Sequence, residues 1–270
     1  MDRRHFLALT MGGVLGVDGV SKLFGAVPPP RSRFTTWAPK DFDCPVCKTK
    51  NTFQVWMSYG SYVYSWPSKY QWVFWPWTDS PSIYLCKECH LATLMDDFDK
   101  LEKDKAVQLR KPLSTIAFST QFKDYLEIPM TSRLEIAEQT YRLVDNKEDG
   151  FWNFFYRLKG YHYGKNGQRE KAAEARRRSL ELTSKMLRSP DNKMPTKELL
   201  YISGAMKHFL SDDKGALEDF RKGLSTKYFQ ANLDAEKVKD AETGMNERFE
   251  DYIKQIASSK PPRAADSDPN

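Results

Sequence analysis

The sequence has no long apolar run and few histidines or cysteines, and each shortage excludes a class of protein. No stretch of the 270 residues approaches the ~18 consecutive apolar residues of a membrane-spanning helix, so a polytopic membrane protein is excluded. Four histidines leave few centres for histidine chemistry. Four cysteines are too few for a disulfide scaffold of this size, although a tetrahedral zinc site needs this number.

The sequence also lacks a strong charge of either sign. Its 42 Lys and Arg residues exceed its 36 Asp and Glu residues by a net charge of only +6. This excess is well short of that of a dedicated nucleic-acid coat, so nucleic acid is not favoured as a partner. The hydrophobic fraction of 40% is ordinary for a globular protein, and the length allows one large domain or two modest ones.

The N-terminal residues have the pattern of an export signal. Two arginines precede an uncharged run at residues 6–17, and three prolines follow. The residues that resemble the twin-arginine export motif are Arg3, Arg4, Phe6 and Leu7. We therefore predict a signal or anchor at 1–26, a linker at 27–40 and a protein of the periplasm or cell envelope. The alternative is a cytoplasmic protein, and the motif leaves open whether the signal is cleaved. An N-terminal anchor is the only transmembrane span that the sequence allows.

All four cysteines occur in two Cys-x-x-Cys pairs. The pairs are Cys44 with Cys47 and Cys86 with Cys89. A two-residue spacer lets both thiolates of a pair bind one ion, and two such knuckles close a tetrahedral site. Because soft thiolates favour zinc and four of them leave no open coordination position, we predict one structural zinc ion. Two disulfides or a thioredoxin-like redox pair are the alternatives.

The chain between the two cysteine pairs is rich in aromatic residues. Five of the seven tryptophans lie between residues 53 and 84. The β-forming residues after Trp56 and the run Tyr70–Trp75 predict two or three short antiparallel strands. These strands would form the insert of a zinc-ribbon-like module at residues 41–100. The insert is either a surface for a glycan or an extended peptide, or the core of a small module. The candidate surface residues are Trp66, Trp72, Trp75 and Trp77.

Helical periodicity dominates the chain from residue 101 to residue 257. The capping-box pattern of Ser132 and Glu135 predicts the start of one helix. Further helices are predicted at residues 151–163, 170–187, 197–210, 214–226 and 234–257. The basic run Arg176–Arg178 predicts a solvated helix face, with a patch for an anionic partner as the alternative. Residues 258–270 are predicted to be a disordered tail.

Two predicted helix pairs fit the tetratricopeptide (TPR) template. In this template, small residues alternate with bulky ones and let paired helices approach closely. The matching residues are Tyr156, Gly160 and Ala172 in the first pair, and Leu200, Gly204, Ala216 and Phe220 in the second. We therefore predict a TPR-like helical array, with a generic helical bundle as the alternative.

The order of these motifs resembles the bacterial family catalogued as domain of unknown function 2225. The matching stretches are Cys44–Cys47, Pro81–Cys89, Asp96–Phe98, Glu198–Gly204 and Gly215–Phe220. The resemblance covers roughly residues 41–228. The chain departs from the family at Lys48 and His90, where the family has glycine after each knuckle, and at Ser80, where it has asparagine. The resemblance implies a zinc ribbon followed by TPR-like helices, and it implies no activity.

These features predict an α+β fold, with a small antiparallel zinc-ribbon-like β module followed by a TPR-like antiparallel helical array. The predicted function is that of a non-catalytic, zinc-stabilised interaction or scaffold protein that binds a protein or peptide. One alternative is an envelope enzyme or binding module for glycans or cell-wall polymers, with Asp96 and Asp97 as acid–base groups. The other is a cytoplasmic zinc-ribbon protein that binds nucleic acid.

Overall fold

The computed structural model of the protein describes residues 36–58, 68–116, 121–144, 147–231 and 233–258. The predicted export signal, most of the predicted linker, Trp66 and residues 259–270 of the predicted tail lie outside the described residues. Strand β1 (Thr36–Asp43) begins within the range predicted as linker, so the ordered β module begins before residue 41.

Two short antiparallel hairpins carry the cysteine pairs. Strand β1 pairs with β2 (Lys50–Ser58), and β3 (Ile83–Leu85) pairs with β4 (Ala92–Leu94). The first pairing ends at Asp43 and Lys50, and the second ends at Leu85 and Ala92. Each pair of cysteines therefore lies in the turn of one hairpin.

The run Tyr70–Trp75, which was predicted as a strand, is not part of either sheet. Residues Ser68–Gln71 form a single helical turn, α1, and Trp72 has a φ of 55°. The reason is tertiary. The Tyr70 ring packs against Tyr252 and the Trp72 ring packs against Tyr201, and such contacts override β propensity.

Longer helices follow the hairpins in the described part of the chain. They are α2 (Lys103–Leu113), α3 (Met130–Val144), α4 (Asp149–Lys165), α5 (Arg169–Arg188), α6 (Thr196–Phe209), α7 (Asp213–Ser225) and α8 (Ala235–Ala257). The bounds of α4 to α8 agree with the predicted bounds to within two residues. The predicted α+β class is confirmed.

Helix α3 begins at Met130, before the capping box predicted at Ser132. The carbonyl of Pro129 accepts the Arg133 N–H at 3.1 Å, so the first turn already contains Ser132. A capping box does occur nearby, around the short 3-10 turn Tyr125–Glu127. The residue that caps this turn is Asp124, whose carboxylate accepts the Leu126 N–H at 2.9 Å.

The hydrophobic core has two main parts. One is built mainly from the two hairpins, α2, α3 and one side of α4. The other is built from α6, α7 and α8, together with Tyr70 and Trp72 of the aromatic insert. From α4 to α8 each helix packs against the next one, and α1 contacts both α4 and α6. The insert therefore joins the β module to the helical region.

Small residues allow the close approach of the helices. The residues proposed for TPR-like packing are all buried: Tyr156, Gly160, Ala172, Leu200, Gly204, Ala216 and Phe220. A Cβ atom at Gly204 would overlap with Cε1 of Phe220. The ring of α7 therefore occupies the space that a side chain on α6 would need.

Replacing Gly204 is expected to destabilise the helical region. The Gly204→Ala variant must move a buried ring, and such overpacking costs about 1–3 kcal/mol or more. Urea unfolding measured by circular dichroism would test this cost. The control is Gly150→Ala on α4, where the new Cβ would meet Met186 at an ordinary 3.8 Å. Equal stability of Gly204→Ala and wild type would contradict the close contact.

Candidate metal centre

The turns of the two hairpins bring the four thiols together. All four Sγ atoms lie within 4.8 Å of one another. The Sγ atoms of Cys44 and Cys89 are 3.5 Å apart, and those of Cys47 and Cys86 are 3.6 Å apart. Both short distances join one knuckle to the other. The structure therefore assembles the predicted ligands into one cluster.

The cluster has the dimensions of a tetrahedral metal site. Four Zn–S bonds of about 2.3 Å place the sulfur atoms about 3.8 Å apart at tetrahedral angles. The observed separations of 3.5 and 3.6 Å are close to this value. A tetrahedral set of four thiolates suits zinc and also iron. The four cysteines thus form a candidate metal-binding site.

Each knuckle is shaped by the same two backbone hydrogen bonds. In the first knuckle, Cys44 N–H donates to the Thr49 carbonyl and Lys48 N–H donates to the Cys44 carbonyl, both at 2.9 Å. In the second knuckle, Cys86 N–H donates to the Leu91 carbonyl at 2.9 Å and His90 N–H donates to the Cys86 carbonyl at 3.1 Å. Lys48 and His90 have φ angles of 65° and 59°. Glycine adopts this left-handed conformation most easily. Both turns nevertheless form with non-glycine residues.

The pKa values of the thiols differ from one another because the thiols form hydrogen bonds with one another. Hydrogen bonding from Cys44 and Cys89 lowers the pKa of Cys86 well below its usual range. The contact with Cys86 raises the pKa of Cys44 to about 12, and the contact with Cys44 raises the pKa of Cys89 well above its usual range. Thiolates this close repel one another, so a bound cation is what allows all four to ionise.

Asn51 is a site residue that the sequence alone does not single out. Its side chain is 3% exposed on β2. Its Nδ2 donates to Sγ of Cys86 at 3.5 Å and to the Thr49 carbonyl at 2.9 Å, and its Oδ1 accepts the Lys87 N–H at 3.0 Å. One amide therefore connects the two knuckles. The sequence signal that could have found Asn51 is the alternation of side chains along β2, which places Asn51 on the same buried face as Phe53.

We expect the Asn51→Leu variant to bind zinc about 10–100-fold more weakly than wild type, as when other partners of metal ligands are removed. Competition with a chromophoric zinc chelator would measure the affinity. Thr52→Ala is the matched control, because Thr52 lies on the exposed face of β2 and bonds Asp41. If both variants bound zinc as tightly as wild type, the Asn51 amide would have no part in the site.

Arg133 fastens the second hairpin to α3. Its guanidinium is fully buried and lies 5.0 Å from the ring centroid of Tyr125. Its donors reach the carbonyls of Ser80 at 2.9 Å, Ile83 at 2.6 Å and Ile128 at 3.0 Å. Burial lowers the pKa of Arg133 to about 10. The bonds to Ser80 and Ile83 hold the segment that leads into the second knuckle.

The tryptophans proposed as a binding surface pack into the molecule. Trp75 is 5% exposed and contacts Trp37 at 5.8 Å between ring centroids. Trp72 lies 5.1 Å from Tyr201, and Trp77 lies 5.6 Å from Phe154. Trp66 is outside the described residues. The contacts of Trp72, Trp75 and Trp77 therefore fit the interpretation in which the aromatic insert forms part of the core.

Asp96 and Asp97, the two carboxylates of the enzyme hypothesis, have different surroundings. Asp97 accepts hydrogen bonds from Tyr141 Oη at 2.7 Å and Lys147 Nζ at 2.9 Å. Burial raises the pKa of Asp96. The cavity beside Asp97 has a volume of about 90 Å³, whereas small-molecule sites usually have about 300–1,000 Å³.

No protein-family model, curated protein or solved structure matches the chain. The resemblance to the family of unknown function therefore remains a prediction that rests on motifs. Among the described helices, none is both long and apolar enough to cross a membrane.

Proposed function

We propose that the protein is a non-catalytic interaction protein in which zinc stabilises the β module and TPR-like helices bind a protein or peptide. The observation that carries the proposal is the clustering of four thiols in the turns of two hairpins. Zinc held by four thiolates has no open coordination position for a substrate. The role of the metal is therefore structural.

The packing of the helices supports the interaction half of the proposal. Helices α4 and α5 form one pair, α6 and α7 form a second, and α5 packs against α6. Stacked helix pairs of this kind place the first helix of each pair on a shared face, which is the usual binding surface of such arrays. In a TPR-like array of this chain, that face would contain α4, α6 and α8.

The location that we propose is the cell envelope, and it rests on the sequence alone. The twin-arginine pathway carries folded proteins, so the metal would be bound before export. Fusion of residues 1–30 to a reporter that is active only after twin-arginine export should give an active reporter. Replacing both Arg3 and Arg4 by lysine should abolish this activity. A reporter that stayed inactive with the native arginines would contradict export.

Metal analysis and crosslinking test the two halves of the proposal separately. Purified protein should contain about one zinc per chain in native mass spectrometry. A photo-crosslinker at the exposed positions Glu250 or Lys254 on α8 should repeatedly capture one protein in cells, whereas the same group at Lys40 on β1 should not. Absence of metal would contradict the structural zinc, and absence of a helix-specific crosslink would contradict the interaction role.

A further inference from the structure

One segment of the chain covers the face that α4, α6 and α8 share. At its start, Lys69 Nζ and Tyr70 Oη both donate to Oδ2 of Asp251 on α8, at 2.6 and 2.7 Å. At its end, the Trp77 carbonyl oxygen lies 2.7 Å from Nε2 of His162 on α4. Residues 68–77 therefore cross from α8 to α4.

Two arginines hold the middle of this segment. Arg157 of α4 is 3% exposed, and its Nη1 donates to the carbonyls of Gln71 at 3.2 Å and Trp72 at 2.6 Å. Arg176 of α5 donates through Nε to Oε1 of Gln71 at 3.1 Å and through Nη2 to the Gly160 carbonyl at 3.1 Å. The Arg157 contacts are to the backbone, so they suit any segment that follows the same path.

The side chains of the segment enter two aromatic sites on the helices. Tyr70 packs on Tyr252 of α8, with ring centroids 4.3 Å apart. Trp72 lies between Tyr201 of α6, at 5.1 Å, and the guanidinium of Arg248 of α8, at 5.0 Å. The φ of 55° at Trp72 is uncommon for a bulky residue, so the backbone is strained where this ring is seated.

We propose that the face of α4, α6 and α8 is a binding site for peptides of the pattern Lys-Tyr-x-Trp, and that residues 69–72 of the chain itself occupy it. The inference deepens the proposed function and rests on it. A partner segment would place its lysine at Asp251, its tyrosine at Tyr252, and its tryptophan between Tyr201 and Arg248. It binds when the resident segment is displaced.

The resident segment has an advantage over any free peptide because it is tethered. A tethered ligand has an effective concentration of about 1 mM, so a free peptide with an intrinsic Kd of about 10 μM binds the native chain about 100-fold more weakly. Loss of the resident anchors should therefore raise the affinity for a free peptide. This gain separates a binding face from an ordinary core contact.

The test uses the full chain and a fluorescein-labelled peptide with the sequence of residues 68–77. We expect the double variant Tyr70→Ala, Trp72→Ala to bind this peptide about 100-fold more tightly than wild type in fluorescence anisotropy. A control peptide with alanine at the positions of Tyr70 and Trp72 should not bind. The control protein variant is Lys40→Ala, on β1. Equal binding to wild type and to the double variant, or no binding to either, would overturn the inference.

A milder variant covers the case in which the double variant does not fold, which circular dichroism would show. Lys69→Ala removes one half-exposed ion pair with Asp251 and keeps both aromatic anchors. It should bind the peptide several-fold more tightly than wild type, and unchanged affinity would overturn the inference. Zinc content and helix-specific crosslinks in cells do not depend on this outcome, so the proposed function and the inference can fail independently.

Discussion

The Cys86→Ser variant is expected to lose its zinc and the order of both hairpins. Strands β3 and β4 have three residues each, and an isolated hairpin is at best marginally stable in water. In small zinc domains the metal contributes about 10–16 kcal/mol of apparent free energy. That contribution is comparable with the whole stability of a domain, ~5–15 kcal/mol. We therefore expect the β module to unfold at room temperature.

Hydrogen–deuterium exchange resolved by peptide would show where order is lost. Peptides from β1 to β4 should exchange as fast as an unfolded chain, whereas α5 and α7 should keep measurable protection because they pack on other helices. Adding a strong chelator to wild type should produce the same pattern. Lys50→Ala, an exposed change beside the first knuckle, is the control and should retain one zinc. A Cys86→Ser protein with bound zinc and protected hairpins would contradict a four-thiolate site.

Replacement of Arg133 is expected to have the second largest effect. Arg133→Leu leaves the buried carbonyls of Ile83 and Ile128 without this donor, and each unsatisfied buried group costs about 1–3 kcal/mol. Removing a buried charge offsets part of this cost, so we expect a net loss of about 3 kcal/mol. Arg133→Lys should lose nearly as much, because one ammonium cannot reproduce the fork of the guanidinium.

Urea unfolding of the zinc-loaded protein would measure the Arg133 effect. The control is Arg110→Leu at an exposed position on α2, where the expected change is within about 0.5 kcal/mol. A drop in the second hairpin's protection with the helical region unchanged would place the effect at Ser80 and Ile83. If Arg133→Leu were as stable as wild type, the buried hydrogen bonds of this arginine would carry no net stability.

The sequence by itself determined the features that depend on local interactions. The Cys-x-x-Cys spacing predicted both knuckles, because two residues suffice to turn the chain around one ion. The bounds of α4 to α8 followed from helical periodicity and from short polar breaks, such as that at Asp212, whose carboxylate accepts the Gly215 N–H at 2.9 Å. The α+β class followed from the order of these elements.

Tertiary structure decided what depends on residues far apart in the chain. Tyr70 and Trp72 left the predicted strand because their partners lie on α6 and α8, and Lys69 meets Asp251 across 182 positions. Arg176 was predicted on a solvated face, but its side chain points inward and donates to Gln71. The role of Asn51 became visible only from its contact with Cys86. Periodicity reports the local environment of one element, whereas these contacts require two surfaces to meet. The covering of the face of α4, α6 and α8 by residues 68–77 was therefore decided by packing, not by local sequence.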